Sequence, residues 1–287
     1  MCFRHCPWAD VMTRARLRWQ VLQGPLQKAR FFAMLAGVAA GSACSAAGAA
    51  PAADETELRT CFAKSLPQRS LSESIVITQT AADGTRRRIA GDWYWRINGD
   101  GQNGMLRLTA PKDLAGAAYL FLGSGQRQDY YLYLPSVKKV RHVTGATTAQ
   151  SLFESGISAF DLKFLFSGLR GGRLQPLGAV TEASRPATRW RYQPPADPDI
   201  LYDRVDLTVD DDWCLPVRAE LYGGVPWKTL TIEPNSVQRV EGRWLATVLN
   251  LKDLREGSTS RIELRDPVID ADLSPDLFNP SRYYRSR

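Results

Sequence analysis

The sequence predicts a mainly β protein: one large curved antiparallel sheet laid around a single principal helix. Three observations carry the prediction. One segment near residue 60 has a helical apolar stripe. The chain after it breaks into ten or more short runs of two-residue alternation, and turn residues separate those runs.

The helix is expected over Glu55–Leu66, where Leu58, Cys61, Phe62 and Leu66 fall at i, i+3, i+4 and i+8. Asp54 can cap its start and Pro67 marks its end. A strand over Ser74–Thr80 leads to Asp83-Gly84, a hairpin signal, and Thr85–Ile97 returns with Trp93, Trp95 and Ile97 on one face and Tyr94 and Arg96 on the other. Asn98-Gly99-Asp100-Gly101 turns the chain into a meander of Met105–Ala110, Ala117–Leu122, Tyr130–Leu134 and Val137–Val143. Between Ala149 and Gly172 the period is mixed. Phe160, Phe164 and Leu165 have helical spacing, so a short helix or lid is expected there. Strands resume at Gly178–Glu182, Thr188–Tyr192, Arg204–Val209, Pro216–Leu221, Trp227–Ile232, Ser236–Glu241, Trp244–Leu249 and Thr259–Leu264. The loop Gln193–Pro198 is proline-rich but short, and the end, Asp270–Tyr284, carries Pro275 and Pro280 and reads as irregular.

The first fifty residues read as a leader rather than as part of the fold. Arg14, Arg16, Arg18, Lys28 and Arg30 precede the apolar run Phe31–Ala40, and small residues follow with Ala47 and Ala49 in Ala-x-Ala spacing. Cleavage after Ala49 is expected, with Ala52 as a second site and Met12 as an alternative start. The rival reading is a permanent membrane helix, which the Ala, Gly and Ser content of its second half disfavours. Cys44 resembles a lipid-acceptor cysteine, but Gly41 stands where an apolar residue is usual, so a plain periplasmic protein is preferred. Residues 51–287 are expected to form one domain.

The leader also explains the charge. The whole chain carries +7, but six of its 37 Lys/Arg and one of its 30 Asp/Glu lie in those fifty residues, leaving 31 bases against 29 acids, a net +2. Nucleic-acid binding therefore has no electrostatic basis. Arg86–Arg88 and Lys138-Lys139-x-Arg141 are short and read as solvated strand faces.

Past the leader only Cys61 and Cys214 remain, and in an oxidising compartment they suggest one disulfide joining the helix to a strand; two buried free thiols are the alternative. Catalysis and metal binding find no motif. His142 is the single histidine past the leader and reads as a surface or rim residue, with no nucleophile elbow to serve. Asp210-Asp211-Asp212 lacks the alternating ligands of a calcium loop and reads as a strand-end turn. No cofactor and no metal are expected.

One stretch carries a family resemblance. Leu106-Arg107-Leu108, Ala110-Pro111-x-Asp113-Leu114-x-Gly116 and Asp129-Tyr130-Tyr131-Leu132-Tyr133-Leu134-Pro135-Ser136-Val137-Lys138-Lys139-Val140-Arg141-His142-Val143 resemble the LolA-like proteins, labelled outer-membrane lipoprotein-sorting proteins. Weaker matches follow in Tyr202–Val205, Trp213–Val217, Trp227–Leu230 and Asp270–Leu277, so the resemblance spans most of the chain after about residue 55. It implies an incomplete antiparallel half-barrel wrapped around a helix, and an inner-membrane transporter of the resistance-nodulation-division type as partner. Where that family has a Phe-Gly-x-Asp-Phe-like turn, this chain has Phe153–Leu162.

Apolar and aromatic side chains are then the resource for function. Trp93, Trp95, Leu106, Leu108, Tyr119 and Phe121 lie in strand-like segments, as do Tyr131, Tyr133, Trp190, Trp227 and Trp244. With Leu58 and Phe62 of the helix they are the candidate lining of an apolar cavity, although each alone reads as ordinary core. An acyl chain suits such a surface, because water release needs no hydrogen-bond partner. The expected protein is a monomeric, non-enzymatic periplasmic carrier of lipid or lipid-modified protein. In it the helix and the Ala149–Gly172 segment part to admit a chain. The alternative is an interaction subunit of an envelope transporter whose cavity its own side chains fill. A hydrolase using His142 comes third.

Overall fold

The computed structural model describes residues 54–99, 101–124, 127–144, 150–166, 169, 172–195 and 202–285. The leader, its cleavage site, Cys44, Asp100, the turn residues 125–126, the far end of the proline-rich loop and the side chains of Phe164 and Leu165 lie outside them.

Helix α1 spans Glu55–Ser65. Asp54 caps it by accepting from Thr56 N at 3.2 Å, and Glu55 and Glu57 sit where the helix dipole favours acids. Its C-terminal carbonyls are not left open: the Arg243 guanidinium donates to Lys64 O and Leu66 O. Leu58 and Phe62 form its buried stripe.

The strands are β1 (Ser70–Thr80), β2 (Arg86–Asn98), β3 (Gly101–Ala110), β4 (Ala118–Ser124), β5 (Arg127–Leu134) and β6 (Lys139–Val143), then β7 (Arg173–Glu182), β8 (Arg185–Gln193), β9 (Arg204–Asp210), β10 (Pro216–Gly223) and β11 (Val225–Ile232). After them come β12 (Val237–Val240), β13 (Arg243–Ala246), β14 (Val248–Asp253) and β15 (Ser258–Ile269). Thirteen strands form one antiparallel sheet in the order β6-β5-β4-β3-β2-β1-β15-β14-β11-β10-β9-β8-β7, while β12 and β13 pair apart from it. The sheet is not closed, since β6 and β7 are its two edges. Two consecutive meanders are thus joined through the long-range pairing of β1 with β15, from Leu71 opposite Ile269 to Thr80 opposite Thr259.

The two faces bury different cores. On the inner face, residues from strands far apart in the order, such as Tyr119 on β4, Ile77 on β1 and Leu207 on β9, belong to one buried cluster with Leu58 and Phe62. A second helix, α2 (Ala159–Phe166), adds Phe160 and Leu162 to that cluster. On the outer face, Met105, Ala118 and Leu120 pack against Leu277, Phe278 and Tyr283 of the C-terminal segment, which includes a 3₁₀ turn at Pro275–Phe278. Arg107 donates to Tyr283 O, and the Arg96 guanidinium lies 4.3 Å over the Phe278 ring.

Close packing on the inner face depends on one absent side chain. A Cβ at Gly104 would stand 2.2 Å from Phe121 and 2.6 Å from Trp93, two rings stacked with centroids 6.3 Å apart. The expected strand Trp244–Leu249 is divided. Thr247 turns the chain from β13 into β14, its amide and hydroxyl both donating to Ser236 O.

Candidate functional site

A cavity of about 140 Å³ lies between α1, α2 and the inner face of the sheet. Phe62 and Leu66 close it from the helix, Leu162 from α2, and Leu71, Trp95 and Leu249 from the sheet, with Leu245 and Ala246 of β13 on a further side. The disulfide borders it. Cys61 and Cys214 are bonded with their Cα atoms 5.3 Å apart, and Cys214 is part of the lining. This pins α1 to the turn between β9 and β10.

Two polar side chains interrupt the lining, Ser65 and Glu73. Ser65 Oγ is satisfied by Phe62 O at 3.2 Å and Cys214 O at 3.0 Å. Glu73 is different. It occupies an inward position of β1 between Leu71 and Ile75, is 6% exposed, and its Oε1 has no hydrogen-bond partner. A bulge places it there: Ser72 pairs with Val268 and Ser74 with Arg265, so Asp266 and Pro267 together stand opposite the single Glu73. Burial alone pushes its carboxyl up from 4.5 to about 8.

The segment before and through α2 is held over the inner face by polar contacts. Ser158 and Asp161 cap each other at the start of α2, with Ser158 N donating to Asp161 Oδ2 at 2.7 Å and Asp161 N donating to Ser158 Oγ at 3.2 Å. Asp161 also accepts from Lys228 Nζ at 2.6 Å and from Tyr202 Oη at 2.7 Å, all three side chains being buried. Burial, then the neighbouring carboxylate of Asp161, raise the Tyr202 phenol, so it stays a donor. Lys228 further reaches Gly156 O at 3.3 Å, and Ser260 Oγ donates to Ser155 O at 2.7 Å. Gly156, at φ +75°, approaches so closely that a Cβ would stand 2.4 Å from Ser260 Oγ.

The predicted lining residues are dispersed. Phe62 and Trp95 line the cavity. Leu58, Trp93, Leu106, Leu108, Tyr119, Phe121 and Trp190 are buried in the packed core of the same face. Trp227 is partly buried, edge-on to Tyr202 and under the Arg255 guanidinium. Trp244, on the separate hairpin, tilts against Trp213. Tyr131 and Tyr133 were expected with the cavity and lie instead on the outer face, against Tyr284 and the C-terminal cluster. Tyr130 points inward, and the two-residue period sends Tyr131 and Tyr133, one and three positions on, outward. His142 is exposed, 3.1 Å from Asp129. Asp210 is not a solvated turn residue: it is buried, binds Arg185, and accepts from Asp212 N and Trp213 N. Among the described residues no cluster of three metal-ligating side chains occurs, and no helix is long and apolar enough to cross a membrane.

Sequence reasoning passed over Glu73, Asp161 and Lys228. For Glu73 the signal was present, an acid in the inward phase of Leu71, Ile75 and Ile77; for Asp161 it was the Ser158-x-x-Asp161 capping pattern.

Comparison with known proteins agrees with this architecture. A family model described as Uncharacterized protein matches residues 100–283. No curated protein sequence matches the chain. Among solved structures, a DUF1329 family protein from Desulfovibrio piger is 21% identical with a TM-score of 0.72, covering 78% of this chain and 95% of that one. A domain described as that of an outer membrane lipoprotein-sorting protein, from Vibrio parahaemolyticus, is 19% identical with a TM-score of 0.70 over 80% and 97%. A LolA superfamily protein from Nitrosomonas europaea is 21% identical with a TM-score of 0.64 over 79% and 98%. With a family match over well over half its length, the chain belongs to the family whose model is described as Uncharacterized protein, and its open antiparallel sheet has the fold of these LolA-type structures.

Proposed function

We propose that the protein is a non-enzymatic periplasmic carrier that binds a lipid, or the acyl chain of a lipid-modified protein, in the inner cavity. It would pass that cargo to or from an inner-membrane transporter of the resistance-nodulation-division type. The observation that carries this reading is the cavity of about 140 Å³, walled by apolar side chains, chiefly Leu and Ile, with Ser65 and Glu73 the polar exceptions. Its size sets the mechanism. An apolar void of about 150 Å³ holds a guest the size of benzene, so about six chain carbons fit with the lids as they stand. At ~0.8 kcal/mol per buried methylene that is ~5 kcal/mol, a weak hold. A longer chain enters only if a wall moves. The candidates are the α2 segment, held by the Lys228–Asp161 latch, and the β12–β13 hairpin, which supplies Leu245 and Ala246. Weak binding that deepens on opening suits a shuttle, which must also let go.

The same modest volume favours a second reading, an interaction subunit that carries nothing, since pockets for drug-sized ligands run to ~300 Å³ or more. One experiment separates the two. Delipidated mature protein is titrated with the fluorescent fatty acid cis-parinaric acid, and lipids co-purifying with untreated protein are identified by mass spectrometry. The carrier reading expects saturable binding that Ala246→Trp, which fills the cavity from its rim, abolishes. No bound lipid and no saturable fluorescence would leave the interaction subunit.

A further inference from the structure

The geometry points to Glu73 as a polar anchor inside the apolar cavity, a neutral carboxyl that donates a hydrogen bond to the carbonyl oxygen of a fatty acid or fatty-acyl ester. This rests on the carrier reading and adds to it a chemical class: an acyl chain recognised at its carbonyl end, not a bare hydrocarbon surface.

Three observations carry it. Glu73 is the one cavity-lining polar side chain among the described residues with an oxygen lacking any partner, whereas the Ser65 hydroxyl donates to backbone carbonyls, its hydrogen within reach of both Phe62 O and Cys214 O. A buried polar atom without a partner is costly, and a ligand that supplies the partner recovers that cost on binding. The residue is also placed by a specific device. The bulge that sets Asp266 and Pro267 opposite Glu73 interrupts an otherwise regular pairing of β1 with β15, and Asp266 adopts φ +53° to form it. Finally, the surroundings favour the uncharged acid over an ion pair. No other ionisable side chain lines the cavity among the described residues. Arg265 and Asp266 on β15 are exposed, Asp92 on β2 is engaged with Ser74, Arg96 on β2 lies over Phe278 on the outer face, and Arg243 on β13 is bonded to the end of α1. Burial that holds the group up to about 8 keeps it protonated at neutral pH. A cationic ligand would have to desolvate an ammonium in the same apolar space, a much larger cost than meeting a carbonyl.

The test measures binding of three fluorescent probes to wild type, Glu73→Leu and Glu73→Gln at pH 6.5, with thermal unfolding confirming that each variant is folded. The probes are cis-parinaric acid, its methyl ester, and diphenylhexatriene, which has no carbonyl. Glu73→Leu should weaken an acyl probe about tenfold, the value of one hydrogen bond together with relief of the unmet group, and leave diphenylhexatriene unchanged or tighter. Glu73→Gln should stay within about threefold of wild type, because its amide still donates. Weakening of the acid alone assigns free fatty acids as the ligand class, and weakening of the ester as well assigns acyl esters; either supports the anchor. Equal affinity of wild type and Glu73→Leu for both acyl probes overturns it while leaving the cavity reading intact. Displacement by dodecylamine that strengthens as pH rises overturns it in favour of a carboxylate–cation site. Failure of all three probes to bind wild type removes the carrier reading itself, and the anchor with it.

Discussion

Replacing Glu73 by Gln should change how stability depends on pH more than any other single substitution on the inner face. In the unfolded chain the carboxyl titrates near 4.5, and in the fold burial pushes it up to about 8. Below 4.5 both states are protonated and the group costs nothing extra. Between 4.5 and 8 the folded state keeps a proton that the unfolded state has lost, so stability falls as pH rises, by about 1.4 kcal/mol per pH unit. Above 8 both states are ionised and the whole cost, ~5 kcal/mol, is present. Gln has nearly the same shape and no titratable proton. Denaturant unfolding of both proteins from pH 5 to pH 8.5 isolates the effect, because other titrating groups are shared and cancel in the difference. Wild type should lose ~3–4 kcal/mol relative to Glu73→Gln between pH 5 and pH 8. Two curves that stay parallel over that range would show that the carboxylate finds a partner or water on ionising, and the argument from isolation would fail.

Three further outcomes follow from contacts already described. Asp161→Asn leaves Lys228 buried without its nearest carboxylate and should cost ~3–5 kcal/mol; hydrogen exchange over residues 151–162 would show whether the segment also opens more often. Serine at both Cys61 and Cys214 removes a cross-link spanning 153 residues and should lower stability by up to ~5 kcal/mol, read as a fall in denaturant midpoint that wild type reproduces only under reductant. Gly104→Val forces apart the Trp93 and Phe121 rings and should destabilise by ~3 kcal/mol or more, with loss of the near-ultraviolet aromatic signal, while Gly99→Val, at φ +58° with open space around it, should add backbone strain but leave the aromatic signal intact.

Much of the architecture was legible in the chain because it is written at short range. The stripe of Leu58 and Phe62, the Asp54 cap and the opposed faces of Trp93 and Tyr94 are consequences of period and steric preference, and each stands where its pattern places it. The Cys61–Cys214 bond was one of two readings, and the fold supplies the proximity that settles it. Phase was less secure. A run such as Asp129–Leu134 with aromatics in both phases does not say which belongs inside, and the C-terminal segment decided it by covering Tyr131 and Tyr133 on the outer face.

What the sequence determined by itself is the inventory of local elements: one capped helix and many half-buried strands set off by turn residues. What only the tertiary structure decided is which groups meet across long separations. The pairing of β1 with β15 joins residues almost 200 positions apart and creates the bulge at Glu73, and the fold of α2 onto β11 brings Asp161 to Lys228. Such meetings leave little trace in local pattern, because a buried acid or lysine costs free energy that only its particular neighbours can offset or leave unmet.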